Sequence, residues 1–277
     1  MTLPTFLGIG APRAGTTWLN VLLASHPDVY MPTLRDEIRF FDQYFNRGLS
    51  WYEELFCPAE EAGRYQAIGE ISPQYLECNE CPQRILSVLP RGKLIAMLRH
   101  PVDRAYSQYG FYVQRRNFRG SFEAFLAAYP RALERGYYSR YLERYLQYFE
   151  RDRILVLVFE DVVSDISKAE ERLAEFIGVA PERFPASAGK DKVNPSSVPR
   201  YQFLYGLIAK SGRQFRRWHL EPVVDFVMRT RLQQILATGH PLPTVGSGLK
   251  HELSRGYADE FATLEERFDV DLTRWMQ

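Results

Sequence analysis

Phe6-Leu7-Gly8-Ile9-Gly10-Ala11-Pro12-Arg13-Ala14-Gly15-Thr16-Thr17-Trp18-Leu19 is the stretch from which the fold is read. Thr5 to Ile9 is short, apolar and β-prone, and it runs into a glycine. From Thr17 to about Ser25, Trp18, Leu19, Val21, Leu22 and Leu23 recur at helical spacing. His26-Pro27-Asp28 ends that helix, because proline cannot continue it. The turn between strand and helix is rich in glycine, so backbone N–H groups can face an anion while the helix N-terminus adds its dipole. The G-x4-G spacing matches the loop that cradles nucleoside triphosphates, but Thr16 follows Gly15 where that loop carries Lys. The cation sits inside the loop instead, as Arg13. An anion of one phosphate and one further group fits better than a triphosphate. A plain tight strand-to-helix turn would also favour glycine.

Further strands are expected at Tyr65–Gly69, Lys93–Leu98 and Ile154–Phe159. Helices are expected over Pro82–Val88, Val102–Arg115, Tyr138–Phe149 and Lys168–Ile177, the last closed by Gly178, and over Leu253–Phe268. Strands separated by helices predict one α/β domain, 1–277, with a central parallel sheet flanked by helices and a phosphate-loop-like turn. The stretch 181–200 reads as a loop, and 210–233 as a basic helix whose role, a solvated face or a meeting place for an anionic partner, stays open.

Composition narrows the function. The net charge is +1 over 277 residues, so the broad basic footprint of a nucleic-acid binder is absent and any anion site is local. Only six basic residues are Lys and 29 are Arg. Arg suits bidentate oxyanion binding, although genomic base composition gives the same bias. Cys78 and Cys81 form a lone C-x-x-C beside Cys57, read as incidental thiols at a helix start, and no metal site is expected. No apolar run reaches the ~18 residues of a membrane span. The start of the chain shows no leader pattern. A cytoplasmic protein, or a domain of a longer polypeptide, fits.

Ala11-Pro12-Arg13-Ala14-Gly15-Thr16-Thr17-Trp18-Leu19 resembles the 5′-phosphosulfate loop of sulfotransferases that use 3′-phosphoadenosine 5′-phosphosulfate (PAPS), with Arg13 where Lys is usual. Asp36-Glu37-Ile38-Arg39-Phe40-Phe41-Asp42 is similar to the acidic segment before a Phe pair in heparan-sulfate and related carbohydrate sulfotransferases. Glu70-Ile71-Ser72-Pro73-Gln74-Tyr75-Leu76 resembles their Glu-Lys-(Ser/Thr)-x-x-Tyr segment, with Ile71 in place of the Lys that touches a sulfated glycan. Leu98-Arg99-His100-Pro101-Val102-Asp103-Arg104-Ala105-Tyr106-Ser107 looks like the strand-turn-helix that binds the 3′-phosphate. The C-terminal Leu264 and Asp271-Leu272-Thr273-Arg274-Trp275 agree, and the likeness is weakest at 205–245.

The resemblance implies transfer of a sulfuryl group from PAPS to a hydroxyl or amine, leaving adenosine 3′,5′-bisphosphate (PAP), with no metal. It implies that Arg13, Ala14, Gly15, Thr16, Thr17 and Trp18 hold the 5′ end and that Arg99 and Ser107 hold the 3′-phosphate. Glu37 is the implied base, drawn inward by the buried Phe40-Phe41, with Asp36 a solvated neighbour. Glu70, Ser72 and Tyr75 are candidate acceptor-binding residues, with Glu70 alternatively pairing with Arg13. His100 is expected to serve the turn. Tyr137 and Tyr138 are read as core or cleft, and Lys192, Asn194, Ser196 and Arg200 as a closing loop. The acceptor is a small molecule, a lipid, a glycan or a group on a carrier protein, an acyl carrier protein if the chain is an excised domain. A nucleotide kinase and a non-catalytic binder of PAP are the rival readings.

Overall fold

The computed structural model describes residues 2–33, 37–186 and 245–276. Asp36, Lys192, Asn194, Ser196, Arg200 and the basic stretch 210–231 lie outside the described residues.

Five strands form one all-parallel sheet: β1 (Phe6–Gly10), β2 (Val29–Tyr30), β3 (Ala67–Ile71), β4 (Lys93–Leu98) and β5 (Ile154–Val158), in the order β2-β3-β1-β4-β5. The expected strands are present. β2 was not expected: two residues are too few to show a period.

Both faces are covered, and the side-chain alternation of the strands divides the core in two. Leu7 and Ile9 of β1, Leu94, Ala96 and Leu98 of β4, and Ile154, Val156 and Val158 of β5 face one cluster. Phe6, Ile71, Ile95, Met97 and Leu157 face the other. The second cluster is closed by α1 (Thr16–Ser25) and by the long helix Ile166–Ile177, through Leu19, Leu22, Leu23, Leu173 and Ile177. Gly178 ends the latter in the left-handed conformation at φ 83. The first cluster is closed by α2 (Leu49–Glu53), α3 (Ala59–Ala62), α4 (Cys81–Val88), α5 (Pro101–Arg116), α6 (Phe122–Ala128), α7 (Arg131–Glu134) and α8 (Ser139–Leu146), and by the C-terminal segment.

Two expectations are corrected. The helix expected over Leu253–Phe268 is two helices, Ser247–Arg255 and Ala258–Phe268. Tyr257 turns inward between them, 3% exposed, and donates its hydroxyl to Leu133 O at 2.6 Å. Cys78 and Cys81 are not incidental thiols but are paired as a disulfide. The tight turn that starts α4 brings their Cα atoms to 5.4 Å, within bridging range.

The chain leaves β1 toward one side of the sheet and leaves β4 toward the other, so the loops after these neighbouring strands diverge. The crevice between them is the usual ligand position of an open α/β sheet. Gly15 is tied to it by space: a Cβ there would lie 2.6 Å from Phe159 Cδ2, and its φ is 90. Gly15→Ala therefore combines overpacking with left-handed strain and is expected to lose about 2–4 kcal/mol in urea unfolding. Gly178→Ala, where φ is 83 and an added Cβ meets nothing within 4 Å, isolates the backbone part and is expected to lose about 1 kcal/mol. Equal losses in the two variants would show that the contact with Phe159 carries no energy.

Candidate active site

The loop after β1 is pinned to β4 by the Ala11 N–H, which donates to Met97 O at 2.7 Å. It closes on itself where Ala14 N–H donates to Ala11 O at 3.2 Å. Helix α1 then opens on Gly15 with no side chain capping it and no acidic residue in its first turn. Its first N–H groups are left for an acceptor from outside the helix. Ala14 is fully buried, Thr16 is buried, Trp18 is half-buried and Thr17 is exposed.

Arg13 takes a left-handed conformation, φ 71, which turns its side chain out of the loop. Its guanidinium lies 5.2 Å from the Phe111 ring centroid on α5. The residue is exposed to solvent, yet other cations stand near its charge. Desolvation first, then the charges of Arg99, Arg104 and Arg115, hold its pKa below the usual value. Among the described residues Arg13 has no carboxylate partner; the alternative pairing with Glu70 is not formed.

Arg99 directly follows β4 and is clamped on both sides. The Tyr138 hydroxyl donates to Arg99 O at 2.7 Å, and the next N–H, from His100, donates to Glu160 Oε1 at 3.0 Å. The second Glu160 oxygen accepts from Trp275 Nε1 at 3.0 Å, which ties the turn to the C-terminal segment. The Arg99 guanidinium stands 4.9 Å from the Phe159 ring centroid, and its buried Nε has no hydrogen-bond partner. Phe159 thus floors the crevice, touching the Gly15 position from one side and Arg99 from the other. Ser107 is half-buried on α5, two turns into the helix that Pro101 starts. His100 is buried near Ser254 Oγ at 3.2 Å. Burial pushes it down to about 4 against the pull of Asp103, so it is neutral and belongs to the turn. Tyr138 is core, while Tyr137 is exposed and donates to Gly256 O at 3.1 Å.

Phe159, Glu160 and Arg104 were given no role from the sequence, whereas Tyr138 falls on the core side of its core-or-cleft reading. Phe159 and Glu160 directly follow a strand, which is the one signal that could have found them. Arg104 is fully buried, bonds to Gln108 Oε1 at 3.1 Å and to Ala132 O, and adds positive charge beneath the crevice.

On the other side, Phe40 and Phe41 are buried, but Glu37 is exposed. The expectation that the Phe pair draws Glu37 inward is corrected. Ile38 takes the buried place, 2% exposed, and the backbone turns sharply at Arg39, φ 58, before the π-helical turn Phe40–Tyr44. Arg39 pairs with Asp42. Burial acts to lower the Arg39 pKa, but the Asp42 bond and charge, with Glu37 adding to them, leave it raised.

Glu70, Ser72 and Tyr75 meet one another. Glu70 is 2% exposed near the end of β3 and accepts from Tyr75 Oη at 2.7 Å, Ser72 Oγ at 2.8 Å and Tyr52 Oη at 3.3 Å. Burial pushes its carboxyl up to about 7 despite those three bonds, and Asp42 adds to the rise.

Among the described residues no group of three or more His, Cys, Asp or Glu is placed to hold a metal ion, and no helix is long and apolar enough to cross a membrane. What the crevice offers is positive charge without a counter-carboxylate, an uncapped helix start and a cradle with no room for a Cβ. It can hold a doubly anionic ligand.

Residues 4–193 match the family described as Sulfotransferase domain. The human bifunctional heparan sulfate N-deacetylase/N-sulfotransferase 3 is 31% identical over 198 residues, 65% of this chain and 23% of that protein. Human heparan sulfate glucosamine 3-O-sulfotransferase 6 is 33% identical over 184 residues, 64% of this chain and 52% of that protein. The chain thus spans about a quarter of the one relative and half of the other. The crystal structure of a sulfotransferase from Alicyclobacillus acidocaldarius aligns over 100% of both chains, with a TM-score of 0.69 and 24% identity. That of mouse sulfotransferase SULT7A1 complexed with PAP covers 96% of this chain and 85% of that one, with a TM-score of 0.51 and 17% identity. These two likenesses are of fold. The family match, by contrast, runs from before β1 to beyond β5 and so takes in every strand of the sheet: the chain belongs to the sulfotransferase family.

Proposed function

We propose that this chain transfers the sulfuryl group of PAPS to an acceptor hydroxyl or amine and releases PAP. The observation that carries the reading is the pair Arg13 and Arg99, on neighbouring strand ends, with like charge and no carboxylate partner among the described residues. The orphaned Arg99 Nε and the Cβ-free cradle at Gly15 fit a nucleotide bearing an anion at each end.

PAPS, when bound, supplies the sulfuryl group and a phosphate leaving group. The rest falls to the chain's own side chains. Gly15, Thr16 and Thr17 offer backbone N–H groups and hydroxyls to the 5′-phosphate, and Ala14 and Trp18 shape that end of the site. Arg13 stabilises negative charge where it grows during transfer, and Arg99 with Ser107 holds the 3′-phosphate. Glu37, which the resemblance makes the base, takes the acceptor's proton; its exposure to solvent supports this reading. Positioning and charge stabilisation dominate such in-line transfer, and no metal is assigned a part. A kinase reading is disfavoured by Thr16 at the position where a triphosphate loop carries Lys.

The acceptor is open among glycan, small molecule, lipid and carrier-bound group. The heparan-sulfate relatives favour a sugar amine or hydroxyl; Ile71 in place of Lys weighs against a heavily sulfated one. Labelled PAPS with a panel of these four classes, read by mass spectrometry, tests the activity. No labelled product from any class would overturn it.

Three variants divide the roles. Glu37→Gln keeps the shape but cannot accept a proton, so kcat is expected to fall on the order of 10²–10⁴-fold with PAP affinity unchanged. A near wild-type kcat would remove Glu37 as base. Arg13→Ala is expected to lower kcat more than PAP affinity, because the charge it meets grows in the transition state, and Arg13→Lys to recover much of the rate. If Arg13→Ala weakens only PAP binding, the residue is a ground-state clamp. Calorimetry should find PAP bound at least about tenfold tighter than adenosine 5′-monophosphate, with Arg99→Ala erasing most of the gap. Equal affinities in the wild type would reopen the kinase reading.

A further inference from the structure

The two oxygens of Glu70 lead to the same short segment by separate routes. On one side, Ser72 Oγ donates to Glu70 Oε2 at 2.8 Å and accepts from Arg39 N–H at 2.9 Å. On the other, Tyr75 Oη donates to Glu70 Oε1 at 2.7 Å and accepts from Phe41 N–H at 3.4 Å. The two N–H groups flank Phe40 and follow Glu37 by two and four residues.

We infer that Glu70 is a positioning residue for the segment that carries Glu37, acting through the hydroxyls of Ser72 and Tyr75 and not by touching the acceptor. This rests on Glu37 being the base, as proposed above.

The chemistry of the groups gives the device its direction. A hydroxyl has one proton to donate, whereas an ionised carboxylate only accepts. With Glu70 ionised, above a pKa that burial raises to about 7, both hydroxyls point their protons inward. Their lone pairs are then left toward the Arg39 and Phe41 N–H groups. One buried charge thus fixes the polarity of two hydrogen bonds at the place where the backbone leaves the regular pattern, at Arg39 and the π-helical turn after it. The site is closed to solvent: Glu70 is 2% exposed, and Ser72 and Tyr75 are fully buried. An acceptor in the crevice cannot reach the carboxylate without opening the cage. The third donor, Tyr52, has no onward bond to the segment and closes the cage from α2.

An amide at position 70 keeps one accepting oxygen and replaces the other with a donor, so one hydroxyl must reverse and lose its N–H. Hydrogen-exchange mass spectrometry on the full chain, with Glu70→Gln, Ser72→Ala and Tyr75→Phe, reads this without any acceptor. In each variant a peptide covering 37–44 is expected to exchange on the order of tenfold faster, with a β4 peptide and PAP affinity unchanged. Unaltered exchange in that peptide in all three variants would overturn the proposal. If Glu70→Gln does not fold, Ser72→Ala, which removes one oxygen and leaves the carboxylate, carries the test.

With the acceptor from the labelled-PAPS panel, Ser72→Ala is expected to lower kcat about tenfold with the KM for PAPS unchanged. Combined with Glu37→Gln it should add no further loss. Losses that multiply would overturn the proposal, since the relay would then act elsewhere than on Glu37. A normal kcat in Glu37→Gln alone would remove the base reading and leave the exchange result standing.

Discussion

The Ala11 N–H to Met97 O hydrogen bond at 2.7 Å extends the pairing of β1 with β4 past the register shift between Gly8 and Gly10. It fixes where the loop leaves the sheet, and the site follows from that. With the loop held against β4, Gly15 is pressed on Phe159, and Phe159 in turn faces Arg99. The two arginines of the crevice therefore do not find each other by side-chain attraction. The backbone of two adjacent strands brings them together.

That arrangement carries an electrostatic cost. Arg13, Arg99, Arg104 and Arg115 lie close enough that the other three lower the pKa of the first. No carboxylate pairs with Arg13, Arg99 or Arg104 among the described residues. Glu160, which meets the N–H of the residue after Arg99, spends its oxygens on His100 N–H and Trp275 Nε1. Arg104 is stabilised by Gln108 and the Ala132 carbonyl, so its charge is held but not neutralised. A buried, unsatisfied donor such as Arg99 Nε costs about 1–3 kcal/mol, a penalty that an anionic ligand relieves on binding.

The sheet was legible because its strands are short apolar runs set off by glycine, proline or charge. The residues proposed to hold the nucleotide could be picked out because they are contiguous in two segments, 11–18 and 99–107. What escaped the sequence is what long-range packing decides. Whether Glu37 or Ile38 takes the buried place depends on the left-handed turn at Arg39, which no local periodicity announces. The cage around the β3 residue Glu70 includes Tyr52, 18 residues away on α2. The break at Tyr257 arises because its hydroxyl reaches Leu133 O, 124 residues distant. The pairing of Cys78 with Cys81 was misread because the spacing was weighed as a metal signal rather than as a turn that brings two Cα atoms within bridging range.

The same reasoning separates the two halves of the crevice. The side proposed for the nucleotide stands on strand ends and a helix start, each fixed by backbone hydrogen bonds. The side proposed for the acceptor stands on the segment after Glu37 and on the strand end at 70–72. There Ile71 stands where the resemblance implies a lysine. Ile71 is 4% exposed, and its Cγ1 lies 2.6 Å from where a Cβ on Gly8 would stand, on the face of the sheet that α1 covers. A lysine at that position would have to bury an ammonium group among Phe6, Leu19 and Met97 or turn the strand end over. The apolar residue and the glycine opposite it are therefore one packing solution. The lysine that the resemblance implies at this position is replaced here by a residue of the core.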